Sequence, residues 1–325
     1  MEYVKLSGRD ITVSRLCLGT LTLGPLQADL GIEQGSGVIA YALSRGIDFL
    51  DTAQLYETYP IIREALRKSG KHDAVISSKT YAYTKELAVA AVDEARRGID
   101  RDYIDIFMLH EQESVHTLRG HMEALEYLLE CRERGIIRAV GASMHHIAAV
   151  NGVCEIMDTA DIKLDVIHPI YNMAGLGIVD GNADEMRAAM EKAKSLGCGI
   201  FAMKALGGGH LCKSAADSFD FVLDSGCVDA VAVGMQSEDE VDANIEYFEQ
   251  RKFSEKSKAA LSEKHRSLKI ETYCEGCGLC VKRCPQNALS LSDDGTVRRA
   301  VCDEKKCVMC GYCSVKCPLF AIKVW

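Results

Sequence analysis

Apolar residues along positions 1–250 alternate between two spacings, and this alternation predicts strands and helices in turn. The run IDIFML at 104–109 is almost continuously apolar, as expected of a parallel strand that is buried on both faces. The segment 115–134 instead repeats its apolar residues at helical spacing and predicts one amphipathic helix. Eight strand–helix pairs in succession predict an α/β fold, the (β/α)8 TIM barrel. The strands are predicted at 15–19, 47–51, 74–79, 103–110, 136–142, 164–168, 199–203 and 229–233, and the helices at 35–45, 59–69, 85–97, 115–134, 145–157, 183–196, 214–224 and 237–250.

The chain of 325 residues is long enough for one such barrel and a small second domain. With 48% hydrophobic residues it can bury a substantial core. We predict the barrel over 1–250, a lysine-rich linker over 251–272 and a small α+β domain over 273–325.

The C-terminal segment contains two identically spaced runs of four cysteines. Each run reads C-x2-C-x2-C-x3-C-P, and every cysteine of the first run recurs 33 residues later in the second. This spacing is typical of modules that bind two [4Fe–4S] clusters, in which three thiolates of one run and the last thiolate of the other hold each cluster. The pattern predicts one cluster on Cys274, Cys277, Cys280 and Cys317, and another on Cys307, Cys310, Cys313 and Cys284.

Structural zinc and disulfide bonds are the alternatives for these cysteines. Zinc ribbons offer paired C-x2-C knuckles, not a triplet followed by a distal cysteine and a proline. Disulfides belong mainly to secreted proteins, and nothing in the chain indicates secretion. The segment from 273 onward resembles a bacterial-type ferredoxin, which implies a ferredoxin-like iron–sulfur domain after the barrel.

The chain is acidic overall, and its charge is unevenly distributed between the barrel and the C-terminal segment. Residues 271–325 hold eight Lys/Arg and six Asp/Glu, and the whole chain has a net charge of −9. An acidic barrel argues against nucleic acid as a partner. The chain has no run of 18 apolar residues and no signal pattern, so we predict a cytoplasmic protein away from the membrane. Clusters of this kind are often oxygen-sensitive, which favours an anaerobic cell.

Polar side chains stand where the predicted strands end, and in TIM barrels this is where the chemistry takes place. The second strand ends in Asp51, with Tyr56 in the following loop. The third strand ends in Lys79 and the fourth in His110. Lys79 is expected to lower the pKa of Tyr56, Asp51 to hold Lys79, and His110 to bind a substrate oxygen. The alternative is a buried Asp–Lys pair that merely fills the barrel top.

At these positions the sequence resembles the aldo-keto reductases. The resemblance covers the whole barrel and implies that the four residues just named match the family's catalytic tetrad. It implies further that Tyr56 protonates a carbonyl oxygen while NADPH delivers hydride. The fused tail is similar to a known branch of the family in anaerobic microbes. The segments that carry the resemblance are GIDFLDTAQLY (46–56), VISSKT (75–80), YIDIFMLHE (103–111) and GIIRAVGAS (135–143).

The positions around the nicotinamide depart from the family pattern. Ser143 is kept after the fifth strand, but Met144 stands in place of the usual Asn. His168 stands where the family usually has Gln. Met203 stands where a Tyr usually stacks on the nicotinamide, and a thioether offers no ring face. The resemblance therefore implies an NAD(P)H signature that is weakened.

The phosphate-binding positions differ as well. The family often presents basic side chains to the 2′-phosphate after the eighth strand, whereas residues 238–240 are three acids. Ser237 and the last of these acids predict a capping box at the helix start, and Asn244 matches a family adenine contact. Lys204 and the glycines at 207–209 predict a site for a phosphate or a substrate carboxylate, or else a mobile loop with a solvated lysine.

Three functions stay open on the sequence alone. The first is a carbonyl reductase acting on a small polar substrate, with Tyr56 as general acid and electrons from NAD(P)H and/or the clusters. The second is a nicotinamide-independent enzyme in which the clusters deliver single electrons for reduction or reductive elimination. The third is a non-enzymatic electron carrier or redox sensor. The +2 charge of residues 271–325 favours an acidic ferredoxin or flavodoxin as external donor.

Overall fold

The structure is a computed structural model that describes residues 1–7, 10–159, 162–262, 267–293, 297–307 and 313–324. Its strands are β1 (Tyr3–Ser7), β2 (Ile11–Ser14), β3 (Leu16–Gly19), β4 (Phe49–Asp51), β5 (Val75–Thr80), β6 (Ile104–Gln112), β7 (Ile137–Met144), β8 (Val166–Pro169), β9 (Gly199–Met203), β10 (Ala230–Gly234), β11 (Leu268–Ile270), β12 (Leu289–Asp293), β13 (Arg298–Cys302) and β14 (Ile322–Val324). Its helices are α1 (Gly31–Ser44), α2 (Tyr59–Ser69), α3 (Lys85–Ile99), α4 (Val115–Gly120), α5 (Met122–Glu133), α6 (Ile147–Thr159), α7 (Ala183–Ser195), α8 (Ala215–Leu223), α9 (Glu238–Gln250), α10 (Glu255–Ser262) and α11 (Leu279–Arg283).

Strands β3 to β10 close into a parallel barrel, because β10 pairs with both β9 and β3. The predicted TIM barrel is therefore confirmed. Apolar side chains such as Phe49 and Phe201 fill its interior, and Leu6 and Ile11 of the β1–β2 hairpin pack into the same cluster. The hairpin thus seals the end where the strands begin. The predicted catalytic residues lie at the opposite end, where the strands finish.

The prediction of one continuous helix over 115–134 is wrong. The segment is divided into α4 and α5 at His121, whose φ of −105° and ψ of 16° leave the helical region. Gly120, a weak helix former, directly precedes the break. Leu118 and Leu125 on either side are both fully buried, so the apolar face that the sequence indicated continues across the interruption.

The C-terminal segment forms two small antiparallel sheets, one from β11 and β14 and the other from β12 and β13. Strand β11 lies within the segment predicted as a linker, yet it pairs with the last strand of the chain. Helix α10 lies in the same segment. The domain limits at 250 and 273 remain a prediction. Among the described residues, no helix is long and apolar enough to cross a membrane.

The C-terminal domain docks on the barrel at the loop that follows β9. Phe320 lies against Gly208, and Val324 lies against Gly209. His210 places its Nε2 atom 2.5 Å from Ser314 Oγ of the C-terminal domain. The C-terminal strand therefore covers the glycine loop, so the loop is not open to a phosphate.

This docking predicts different outcomes for two glycine substitutions with the same backbone cost. Gly209 (φ 91°) and Gly197 (φ 96°) both occupy the region that favours glycine, so alanine strains either backbone by about 1–3 kcal/mol. A Cβ on Gly209 would collide with the Val324 carbonyl, whereas a Cβ on Gly197 meets nothing within 4 Å. We expect Gly209→Ala, but not Gly197→Ala, to speed proteolytic cleavage in the 251–272 segment. Equal cleavage of the two variants would contradict this docking.

Candidate active site

The predicted catalytic residues converge at the end of the barrel where the strands finish. Asp51 is the last residue of β4, Lys79 lies near the end of β5 and His110 near the end of β6. Tyr56 closes a short 3-10 helix directly after β4. The adjacent pairing of β4, β5 and β6 explains why three successive strand ends bring these side chains to one place.

Lys79 and Asp51 form a buried ion pair. The Lys79 ammonium donates to both Asp51 carboxylate oxygens at 2.8 Å and to the Thr52 carbonyl oxygen at 2.7 Å. The two side chains are only 1% and 6% exposed. All three ammonium donors are thus used, and the charge lies 5.0 Å from the centroid of the Tyr56 ring.

The expectation that Lys79 lowers the pKa of Tyr56 is wrong for this structure. Desolvation raises the pKa of Tyr56 well above its usual value, and the charges of Asp51 and Glu111 raise it further. Lys79 does not offset this, because its charge is paired with the Asp51 carboxylate at 2.8 Å. The Tyr56 hydroxyl therefore stays protonated at neutral pH. It makes no hydrogen bond to another described residue, so its proton is available to a substrate.

His110 faces Tyr56 in a neutral form. The two ring centroids lie 5.7 Å apart in an edge-on arrangement, and Tyr81 stacks on the His110 ring at 4.4 Å. Burial, and then the charge of Lys79, lowers the pKa of His110 well below its usual value. Its buried Nδ1 atom has no hydrogen-bond partner among the described residues. A buried polar atom without a partner is costly, and a substrate oxygen or a water would satisfy it.

His168 joins this group, although its position suggested a nicotinamide contact. Its Nε2 atom lies 3.7 Å from Asp51 Oδ2, and its Nδ1 atom lies 2.6 Å from the Phe201 carbonyl oxygen. Burial lowers the pKa of His168 to about 4, so the ring is neutral and its Nδ1–H donates to Phe201. The sequence order did not indicate this contact, because β4 and β8 are four strands apart in the closed barrel.

The other predicted cofactor positions are engaged within the protein. Ser143 Oγ accepts a hydrogen bond from the Glu111 amide at 2.9 Å. Ser237 caps α9 as predicted, but the Glu240 carboxylate accepts from the Gln236 amide, one residue before the cap. The Asn244 side-chain amide donates to the Glu240 carbonyl oxygen at 2.7 Å. Met203 ends β9 and is half-buried, and Lys204 follows it with a φ of 58°.

Four of the predicted cluster ligands line one pocket in the C-terminal domain. Three come from the first cysteine run and one from the second, which is the crossed arrangement that the spacing predicts. Burial is the main effect that raises the pKa of Cys280, and the charges of the other three thiols raise it further. Bound iron offsets this repulsion, so the donor set fits a [4Fe–4S] cluster. The four are Cys274, Cys277, Cys280 and Cys317.

The second run repeats local features of the first. The Cys284 sulfur accepts a hydrogen bond from the Ala288 amide, and the Cys317 sulfur accepts one from the Ala321 amide. Such bonds to sulfur tune the potential of a bound cluster. Of the second predicted ligand set, Cys284, Cys307 and Cys313 belong to the apolar cluster of the domain, whereas Cys310 lies outside the described residues.

Cys302 belongs to neither cysteine run, yet it lies beside one of the predicted ligands. Burial and the neighbouring Cys307 raise the pKa of Cys302 to about 12. Because each run already contains four cysteines at the expected spacing, Cys302 is not expected to bind a cluster.

Comparison with known proteins identifies the barrel. The sequence model of the aldo/keto reductase family matches residues 15–225, the larger part of the chain. The chain belongs to the aldo/keto reductase family. The model of a 4Fe-4S dicluster domain matches residues 273–321, so the family barrel carries a fused iron–sulfur domain. Both resemblances noted in the sequence are thereby confirmed.

Individual relatives agree with this family. The aldo-keto reductase YhdN of Bacillus subtilis is 29% identical over 191 residues, which cover 53% of this chain and 54% of the relative. The NADH-specific methylglyoxal reductase of Escherichia coli is 29% identical over 169 residues, 44% of this chain and 52% of the relative. The chain thus spans about half the length of the curated relatives it matches.

Solved structures support the fold. The holo form of the aldo-keto reductase AKR11C1 from Bacillus halodurans matches with a TM-score of 0.62 at 20% identity, covering 81% of this chain and 96% of that one. An aldo/keto reductase from Brucella melitensis matches with a TM-score of 0.61 at 15% identity, covering 80% and 98%.

Proposed function

We propose that this protein is an oxidoreductase that reduces the carbonyl group of a small polar substrate in the barrel mouth, with electrons supplied through the iron–sulfur domain. The observation that carries the proposal is the course of the chain from Cys317 to Phe320. Cys317 lines the cysteine pocket, and three residues later the Phe320 ring lies 5.1 Å from Lys204 Nζ at the barrel mouth. Electrons leaving that pocket therefore reach the mouth over a short path.

The reaction adds two electrons and two protons to the carbonyl and yields an alcohol. A bound [4Fe–4S] cluster supplies electrons one at a time from an external donor of low potential, such as a reduced ferredoxin or flavodoxin. Tyr56 donates a proton to the carbonyl oxygen, because its hydroxyl is protonated and free of partners among the described residues. Neutral His110 orients the same oxygen, and the Lys79 ammonium, paired with Asp51, lies 5.0 Å from the Tyr56 ring centroid.

Hydride transfer from NAD(P)H is the second candidate. The family match favours it, as does Ser143 at its expected place at the end of β7. The name of the Escherichia coli relative gives a small carbonyl substrate and NADH. Against it, Asn244 is bonded within α9, and Val324 covers the glycine loop that would face a phosphate. The residues present do not fit a tightly held dinucleotide, and we infer no step through one. The convergence of the four catalytic residues argues against the third function, a non-enzymatic electron carrier or redox sensor.

The origin of the hydrogen on carbon separates the two candidates. Protons that accompany single electrons come from the solvent, whereas a hydride comes from the nicotinamide. A panel of small aldehydes, ketones and 2-oxo acids is incubated without oxygen in D2O with reduced methyl viologen and protiated NADPH together. We expect the alcohol to carry deuterium on the former carbonyl carbon, measured by mass spectrometry. Protium at that carbon would contradict electron supply through the clusters. We further propose that the reaction takes place in an anaerobic cytoplasm.

A further inference from the structure

Phe320 has a strained backbone at the contact between the two domains. Its φ of 48° lies in the left-handed region, which is unfavourable for a bulky aromatic residue. Asn287 occupies the equivalent position of the first cysteine run, 33 residues earlier, with a φ of 50°. Asn adopts this conformation readily, whereas Phe does not. Such strain is typical of ligand clamps, so the Phe320 side chain is expected to serve a purpose at the barrel mouth.

Two ammonium groups lie beside the Phe320 ring. Lys204 Nζ from the barrel is 5.1 Å from the ring centroid, and Lys323 Nζ from β14 is 5.3 Å from it. Lys323 lies 3.9 Å from the Glu271 carboxylate and donates to the Tyr273 hydroxyl at 3.1 Å. Lys204 has no carboxylate of a described residue within 4.0 Å and so lacks a close counter-ion. Burial lowers the pKa of Lys204 to about 7, and a bound carboxylate would favour its charged form.

Lys204 is oriented by His145. Lys204 Nζ lies 2.9 Å from His145 Nε2, which therefore accepts the hydrogen bond. The ring proton is then on Nδ1, which faces Glu111 at 3.9 Å. Glu111 is too far away to pair directly with Lys204, and it is engaged by the Tyr81 hydroxyl. The remaining donors of Lys204 are left for a ligand.

A chain of contacts connects Lys204 to the catalytic residues. It runs through His145 and Glu111 to Tyr81, which stacks on the His110 ring. The charge of Lys204 contributes to the lowered pKa of His110 and of His168, although burial is the main cause for both. The glycine loop beside it is covered by Val324, so no row of backbone amides is available for the further oxygens of a phosphate. A carboxylate needs fewer donors than a phosphate.

We propose that Lys204, held by His145 and roofed by Phe320 of the iron–sulfur domain, binds the carboxylate of the substrate, which is therefore an oxo acid. This proposal rests on the proposed function, because it takes the carbonyl of the same molecule to lie at Tyr56. The subsite exists only when the two domains are docked, since its roof comes from the C-terminal domain. The fusion thereby contributes to substrate choice as well as to electron supply.

Binding to the oxidised full-length protein tests the subsite without turnover. Pyruvate and phenylglyoxylate are each compared with the primary amide of the same acid by isothermal titration calorimetry. We expect at least one acid to bind about tenfold or more tighter than its amide, as one charged hydrogen bond allows. Lys204→Met should abolish this preference and Lys204→Arg should keep part of it. Lys213→Met, an exposed lysine of the same loop, should leave it unchanged.

Phe320→Asn provides a second variant, because it removes the roof while suiting the left-handed backbone. It should weaken acid binding even if Lys204→Met fails to fold. Failure of both acids to bind, or an undiminished preference in Lys204→Met, would overturn the subsite. Acid preference without any turnover would support the subsite and contradict the reductase function, so the two proposals fail separately.

Discussion

Replacing Tyr56 by Phe is expected to lower kcat by about 10²–10⁴-fold, the usual loss when a general acid is removed. The ring and its contact with His110 survive this change, and only the hydroxyl is lost. The hydroxyl has no partner among the described residues, so the fold and the iron content should be unaffected. The measurement is the steady-state rate of carbonyl reduction under anaerobic conditions.

Tyr83→Phe is the matched control. Tyr83 is an exposed tyrosine of the loop after β5, and its ring lies edge-on to His121. Its variant should keep the full rate. If Tyr56→Phe kept the full rate as well, the proton would come from another group and Tyr56 would have no role as the acid.

Lys79→Met is expected to destabilise the barrel strongly. It leaves the buried Asp51 carboxylate without its counter-ion, and breaking such a pair typically costs about 3–5 kcal/mol. Lys85→Met breaks an exposed pair of nearly the same length, 2.9 Å to Glu130, and should cost less than about 1 kcal/mol. Chemical denaturation compares the free energies of unfolding.

Lys79→Met should also lower the rate of catalysis, and the size of this effect should depend on whether Tyr56 is present. Lys79 places its charge 5.0 Å from the Tyr56 ring, so the two residues are expected to act as a unit. The double variant Lys79→Met/Tyr56→Phe should then be about as slow as the slower single variant. Two losses that simply multiply would show that the residues act separately.

The barrel and the crossed cysteine set were predictable from the sequence because both depend on local spacing. Buried parallel strands require continuous apolar runs, and strand ends in such a barrel meet at one edge. Asp51, Lys79 and His110 follow from this rule, since their strands are neighbours. The crossed set that includes Cys317 follows from the duplicated run.

Contacts between distant parts of the chain were not predictable. His168 reaches Asp51 only because closure of the barrel brings opposite strands together. The pKa of Tyr56 depends on its burial and on the charges of Asp51 and Glu111 around it, and a sequence does not show these. Phe320 gave no signal as a roof residue, because its contact with Lys204 exists only in the docked domains.

A comparison of the wild-type protein with Cys277→Ala tests whether the clusters supply electrons to the barrel mouth, as we propose. The wild type should contain about eight iron atoms per chain, Cys277→Ala about half, and Cys302→Ser the full amount. The turnover rate is measured without oxygen, with reduced ferredoxin or viologen and no NAD(P)H. We expect turnover by the wild type and Cys302→Ser, and almost none by Cys277→Ala. Equal NAD(P)H-driven turnover by the wild type and Cys277→Ala, with no turnover on the one-electron donor, would contradict this proposal.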